Sequence, residues 1–299
     1  MRDLPELHRH LDGSLRPATL KALADEVGVT LPSWDIRFFD GMGLAQALAR
    51  FDVTLSVLQK PGAVRRVAAE MCEDAAAEGV AHLEVRFAPQ LHSGASLEAI
   101  VDAALEGLDG RAGLILCVLY GEPPTLAERL VETARTRAGV CGIDLAGGPS
   151  PTHDFAMSAY GPAFARARDL GIGRTVHAGE GRPPEEIRTA IQHLHAQRIG
   201  HACTLLDSPA ITDLILEREI TIESCPTSNV QTGAVPSLAE HPLPRWLQRG
   251  IRATVCCDNT LLSDVDAPEE WRRAGDMPGM TPELVERARR AGLAAAFSR

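Results

Sequence analysis

The chain has 299 residues, 45% of them hydrophobic but only 4% aromatic, which suits one large α/β domain with a core built mainly of Ala, Leu, Val and Ile. With 40 acidic against 30 basic residues the net charge is −10. That balance excludes electrostatic affinity for nucleic-acid phosphates and suits a small, neutral ligand.

The first strand-like stretch is Glu6-Leu7-His8-Arg9-His10-Leu11-Asp12-Gly13, with Leu4, Leu7 and Leu11 as its apolar positions. Alternate side chains of a strand share a face, so His8 and His10 point the same way and can hold one metal ion. Gly13 breaks the strand, and Ser14 with Pro17 starts a helix over 16–27 that Gly28 stops. No apolar stretch precedes the His pair, and no run approaches the about 18 apolar residues of a membrane span. Neither a signal peptide nor a span is therefore expected. The seven cysteines are odd in number and lack a Cys-x-x-Cys, so they read as reduced thiols of a cytoplasmic protein, most of them core filler.

Residues 31–43 read as irregular, and helices follow over 44–58 and 63–78, the second capped by Gly79. Segment 29–60 thus reads as an insertion after the first strand, placed to act as a lid. From there strands are expected at 82–89, 113–120, 141–146, 174–177, 198–201, 220–225 and 251–257. Helices are expected between them at 96–108, 125–137, 155–170, 183–195, 209–218 and 238–249, with a last one at 282–297. Eight strands alternating with helices, with no linker between them, predict a single-domain (β/α)8 barrel of the TIM type spanning 1–299. The rival doubly wound sheet usually carries a Gly-x-Gly-x-x-Gly turn after its first strand, and none is present.

The ionisable residues that matter fall at strand ends, where a parallel barrel has its mouth. His8 and His10 end the first strand, His177 and Glu180 the fifth, His201 the sixth and Asp258 the eighth. Singly each has an ordinary structural reading: a turn at Asp258-Asn259, a helix-start carboxylate at Glu180, a core histidine at His201. Together they match a hydrolytic metal site, with His8, His10, His177 and Asp258 as ligands and Glu180 with His201 as the acid–base pair. The only lysines, Lys21 and Lys60, do not end strands, so no carboxylated lysine can bridge two metals and one metal is expected. His82-Leu83-Glu84 mimics the His-x-Glu of cytidine deaminases, but no Pro-Cys-x-x-Cys follows. His193, His195 and His241 lie in or near helices and are assigned to the surface. His82 is placed away from the mouth, and His92 and His153 in loops on the mouth side, within reach of a substrate.

The motifs Glu-Leu-His-Arg-His-Leu-Asp-Gly-Ser-Leu-Arg-Pro, Val-Arg-Phe-Ala-Pro, Asp-Leu-Ala-Gly, Thr-Val-His-Ala-Gly-Glu, Arg-Ile-Gly-His, Ser-Cys-Pro-Thr-Ser-Asn-Val-Gln-Thr-Gly and Cys-Asp-Asn extend over nearly the whole chain. With them the sequence resembles the adenosine deaminases of the amidohydrolase superfamily. The resemblance implies one catalytic Zn2+ on His8, His10, His177 and Asp258, and deamination of adenosine and 2′-deoxyadenosine to the inosines plus ammonia. It implies that Asp12 contacts the ribose and that the Gly147 N–H contacts purine N3. Glu180 would protonate N1, and His201 would activate and orient the attacking water. Asn259 stands where many members have a second Asp that bonds N7; an Asn amide donates there without needing a proton. Gly148-Pro149 replaces a usual acidic pair and Ala202 a usual Gly, which bears on the shape of the nucleoside pocket. Two alternatives remain: a deaminase of another 6-aminopurine nucleoside such as aminodeoxyfutalosine, and an inactive metal-binding module. The intact Glu180 and His201 argue against the second. The sequence leaves the oligomeric state open.

Overall fold

The computed structural model describes residues 3–297. Eight strands, β1 (Leu4–His10), β2 (Val80–Phe87), β3 (Gly113–Leu119), β4 (Val140–Ala146), β5 (Gly173–Ala178), β6 (Arg198–His201), β7 (Thr221–Ser224) and β8 (Arg252–Val255), lie in chain order in one all-parallel sheet. A parallel bridge between Arg9 and Asp258 joins the two edges, so the sheet is a nearly closed (β/α)8 barrel, as the alternation predicts.

The helices are α1 (Pro17–Val27), α2 (Leu44–Val57), α3 (Pro61–Ala77), α4 (Leu97–Leu108), α5 (Pro124–Arg135), α6 (Gly161–Asp169), α7 (Glu185–His193), α8 (Pro209–Glu217), α9 (Pro226–Gln231), α10 (Leu243–Gln248), α11 (Ala267–Gly275) and α12 (Pro282–Ala295). Several starts follow from local chemistry. Pro opens α1, α3 and α8 at a position whose N–H has no partner to lose. Ser96, Asp266 and Thr281 cap α4, α11 and α12 with side-chain oxygens.

Three differences from the sequence reading have physical causes. The helix expected over 238–249 splits into a 3-10 turn, Leu238–Glu240, and α10, because Pro242 and Pro244 interrupt the backbone ladder. The helix expected over 155–170 begins as a 3-10 turn, Met157–Tyr160. Helices α9 and α11 were not anticipated; α9 is a six-residue helix without apolar periodicity, buried along its whole length.

Segment 29–60 does lie over the mouth. Phe38, Met42 and Ala47 pack with Leu262 from the loop after β8. The Phe38 N–H bonds the Leu262 carbonyl at 2.6 Å, and Gly41 bonds Val230. The opposite end of the barrel is closed by the C-terminal segment. Gly292 of α12 lets the helix rest on Pro5 and Thr254, and Phe297 inserts against Gly142 of β4 and Gly173 of β5, where any side chain would collide with its ring.

The barrel interior is not the usual aliphatic stack. Glu84, Arg86, Asp144, Arg198 and Glu223 point inward and are fully buried. They are paired: Arg198 with Glu84 and Glu223, Arg86 with Glu223 and Asp144. Burying such charges is tolerable only because each has an opposite charge within hydrogen-bonding reach.

Candidate active site

Strand β1 supplies His8 and His10 with the expected shared orientation. Their Nε2 atoms are 3.3 Å apart, and His177 at the end of β5 brings its Nε2 to 3.1 Å from that of His8 and 3.3 Å from that of His10. Asp258, just past β8, puts Oδ1 at 3.6 Å and 3.4 Å from the Nε2 atoms of His8 and His10. Gly200 makes room for this cluster, since a Cβ there would lie 2.9 Å from the His8 ring.

The other ring nitrogens are held from behind. His8 Nδ1 lies 2.7 Å from Glu223 Oε2, and His177 Nδ1 lies 3.2 Å from Asp144 Oδ1. An imidazole that donates from Nδ1 to a carboxylate exposes its Nε2 lone pair, so the lone pairs of His8 and His177 face each other. That is repulsive without a cation between them. The separations match the about 3.3 Å edges of a tetrahedron with ligands about 2.0 Å from zinc. The residues present therefore fit a single zinc ion. Asp258 Oδ2 is fixed by the Ser228 hydroxyl at 2.6 Å, leaving Oδ1 toward the imidazoles.

Glu180 and His201 face the same space. Glu180 is buried, and its Oε1 accepts from the Thr232 hydroxyl at 3.0 Å. Its Oε2 lies 3.8 Å from His201 Nε2 and 4.0 Å from Arg182 Nη1. Burial raises the Glu180 pKa, although Arg182 opposes the shift. Burial also lowers the His201 pKa to about 3. His201, Ala202 and Asp258 have φ of 68°, 53° and 65°, left-handed conformations that non-glycine residues rarely adopt. Ala202 thus takes the backbone shape of a glycine and carries its cost. Such outliers gather where a chain must turn sharply to present a side chain.

Two adjoining cavities open from this cluster. The inner one, about 50 Å³, is bounded by His10, His177, Glu180, His201, Asp258 and Asn259, with Phe38, Leu44, Leu48 and Phe51 of segment 29–60 as its roof. The outer one, about 350 Å³, shares His10, Leu48, Phe51 and Gly147 and adds Asp12, Asp52, Tyr120, Gly148 and His153. Asp12 is buried with Oδ1 unpartnered, and burial pushes its pKa up to about 7. Asn259 packs its side chain into the space that Gly13 leaves by having no Cβ. All nine residues singled out in the sequence, His8, His10, Asp12, Gly147, His177, Glu180, His201, Asp258 and Asn259, thus meet at one mouth.

The other histidines lie only partly where the sequence pattern puts them. His92 lies in a mouth-side loop but turns inward, with Nδ1 2.6 Å from the Leu58 carbonyl and its ring on Phe87. His153 does line the outer cavity. His241, assigned to the surface, is buried at 3% exposure and bonds Asn229. Pro242 and Pro244, which follow it closely, interrupt any helical period that would reveal burial. Also unassigned in the sequence were Arg86, Asp144 and Glu223. For Arg86 and Asp144 a signal is available, single charges inside the apolar runs Val-Arg-Phe and Ile-Asp-Leu, whereas Glu223, in Thr-Ile-Glu-Ser, carries none.

Comparison with known proteins agrees with this geometry. The profile of the adenosine deaminase family matches residues 4–299. An adenosine deaminase of Vibrio vulnificus is 37% identical over 294 residues, covering 91% of this chain and 87% of that protein. The crystal structure of an adenine deaminase from Arthrobacter aurescens superposes with a TM-score of 0.90 at 25% identity, covering 100% of this chain and 95% of that one. An amidohydrolase from Burkholderia ambifaria with bound zinc superposes with a TM-score of 0.86 at 25% identity, covering 100% of this chain and 86% of that one. Among the described residues no helix is long and apolar enough to cross a membrane. With its barrel, its mouth cluster and a family match over residues 4–299, the chain belongs to the adenosine deaminase family.

Proposed function

We propose that the protein is a zinc-dependent aminohydrolase that converts adenosine and 2′-deoxyadenosine, with water, to inosine or 2′-deoxyinosine and ammonia. The observation that carries this reading is the convergence of the three Nε2 atoms and Asp258 Oδ1 beside a buried Glu180 and His201. His8, His10, His177 and Asp258 would hold one zinc per chain. When bound, zinc supplies the Lewis acidity that makes water nucleophilic near neutral pH.

The chain's own residues do the rest. Aromatic C6 of adenine is a poor electrophile, and protonation of N1 draws electrons from it. Glu180, its pKa raised by burial and its carboxyl steadied by Thr232, delivers that proton. The Asn259 amide donates to N7 and the Gly147 N–H to N3, which fixes the ring face toward the metal ligands. Asp12 bonds the sugar hydroxyls from the outer cavity. Segment 29–60 roofs the purine with Leu44, Leu48 and Phe51 and keeps bulk water out. Among the described residues no Lys or Arg lines either cavity, which suits an uncharged nucleoside and neither nucleic acid nor membrane lipid. We place the enzyme in the cytoplasm and treat 1–299 as one catalytic domain.

The test is the ultraviolet band of adenosine followed with zinc-loaded protein. Rapid loss of the band with release of ammonia supports the assignment. No change in protein shown to carry zinc overturns it. The open loop at Gly148-Pro149 then favours a 6-aminopurine nucleoside with a different sugar-side group, such as aminodeoxyfutalosine, and a side-by-side kcat/KM comparison decides between the two.

A further inference from the structure

We infer that His241 and Asn229 form a directed hydrogen-bond relay that fixes His201 in the tautomer with its proton on Nε2, so that His201 presents a donor to the reacting oxygen. The inference rests on the deaminase reading for its catalytic meaning, but the relay itself follows from donors and acceptors alone.

The relay starts at a group whose direction is certain. The backbone N–H of Leu243 points at His241 Nδ1 at 3.2 Å. A backbone N–H can only donate, so His241 Nδ1 carries a lone pair, the ring is neutral and its proton is on Nε2. His241 Nε2 lies 3.2 Å from Asn229 Oδ1 and donates to it. That sets the Asn229 amide, whose Nδ2 then faces His201 Nδ1 at 2.9 Å. An amide nitrogen also only donates, so His201 Nδ1 accepts, and the His201 proton is on Nε2.

The reverse arrangement is costly. Flipping the Asn229 amide would need a lone pair on His241 Nε2 and hence a proton on His241 Nδ1. That proton would oppose the Leu243 N–H, leaving two donors face to face away from water. An unsatisfied buried donor costs about 1–3 kcal/mol. Nothing nearby relieves this, because Asn229, His201 and His241 are all buried. Trp246 packs edge-on against the His241 ring at 5.7 Å and resists its rotation. Asn229 is held at both ends of its backbone, its N–H on the Cys225 carbonyl and its carbonyl on the Val235 N–H.

The consequence concerns chemistry at the mouth. A histidine base would need its lone pair on Nε2, the nitrogen that lies 3.8 Å from Glu180 Oε2. The relay places a hydrogen there instead. His201 therefore orients the attacking oxygen and stabilises charge developing on it; the proton of that oxygen goes instead to the Glu180 carboxylate left after N1 is protonated, and from there to the amine that departs as ammonia. The sequence reading of His201 as half of an acid–base pair is narrowed accordingly. Neither Asn229 nor His241 lines either cavity, and they reach the site only through the bond of Asn229 to His201, so they are positioning residues.

The test is nitrogen-15 NMR of histidine-labelled protein, metal-free and zinc-loaded, with the His201 signals identified by their loss in His201→Gln. The expected result is an acceptor-type Nδ1 and a protonated Nε2 in unmodified protein. A protonated Nδ1 overturns the relay. In Asn229→Asp, which offers only acceptors, the two nitrogens should exchange character, and kcat should fall by about 100-fold with little change in KM. His241→Gln, able to accept from Leu243 and donate to Asn229, should restore the native His201 spectrum that His241→Leu loses; identical His201 spectra in all three proteins also overturn the relay. Native spectra in a protein inactive on adenosine would sink the deaminase reading alone, and an active enzyme with the exchanged tautomer would sink the relay alone.

Discussion

The two ends of the barrel interior are both lined with buried ionisable groups, and they are built on opposite plans. Below the mouth every charge meets its opposite: Arg198 sits between Glu84 and Glu223, and Arg86 between Glu223 and Asp144. Burial alone would raise the Asp144 pKa, but His177 and Arg86 together hold it well below the usual carboxylate range. At the mouth, groups of the same kind face each other, with imidazole nitrogens 3.1–3.3 Å apart and the buried Glu180 carboxyl pushed up in pKa. Matched charges make a frame; mismatched ones make a place that needs a metal, a proton or a substrate. The two are joined through Glu223 and Asp144, each of which touches an arginine of the frame and a histidine of the mouth.

The largest effect expected is at the mouth. Glu180→Gln should keep its zinc and its melting temperature and lose about 1,000-fold or more in kcat. Since protonated Glu180 is the working form, kcat/KM of the native enzyme should fall as pH rises through its raised pKa. Near-native turnover in the variant would end the claim that Glu180 is the acid. The link comes next. Glu223→Gln removes the charge behind His8 and should weaken zinc binding about 10- to 100-fold, as read by competition with a chelator. Unchanged affinity would mean that the frame does not tune the mouth.

A smaller effect is expected at the far end. A methyl group on Gly173 would lie 2.3 Å from the Phe297 ring, so Gly173→Ala should cost about 1–3 kcal/mol of stability with kcat intact. An unaltered melting curve would show that Phe297 is not a fixed plug. The smallest effect is one of pH. Glu270 is buried on Thr227, and burial pushes its pKa up from 4.5 to about 7. Between those values the folded state holds a proton that the unfolded state has lost, so its contribution to stability falls as pH rises from 4.5 to 7. Glu270→Gln should remove that dependence, which amounts to at most roughly 3 kcal/mol. Parallel stability profiles for the two proteins would refute it.

The mouth was more legible than the frame, and for a physical reason. A residue at a strand end is marked by the strand itself: apolar alternation locates the end, and His8, His10, His177, His201 and Asp258 could be read from position alone. A charge in mid-strand is explained only by a partner on another strand. Arg86 and Glu223 are separated by 137 residues, so neither looks paired in the sequence. The burial of His241 is equally hidden in the sequence, because it comes from α9 and α10 folding around the ring, and α9 shows no apolar period. Helix α11 escaped notice although Asp266 caps it and Pro268 opens it; its charged Glu-Glu-Trp-Arg-Arg run masks the buried Ala267, Trp271 and Ala274.

The seam between β1 and the end of β8 sets the order of events during synthesis. Glu6 accepts a hydrogen bond from the Cys257 N–H across a separation of 251 residues, and His10 donates its N–H to the Asp258 carbonyl. His8 and His10, the first two of the proposed metal ligands to leave the ribosome, therefore wait for Asp258, the last, with almost the whole barrel translated between them. Contacts of such long sequence range are slow to form and give no return until late. A nascent chain that ends before residue 258 lacks Asp258, and with it both the last member of the proposed ligand set and the closing contact of the barrel.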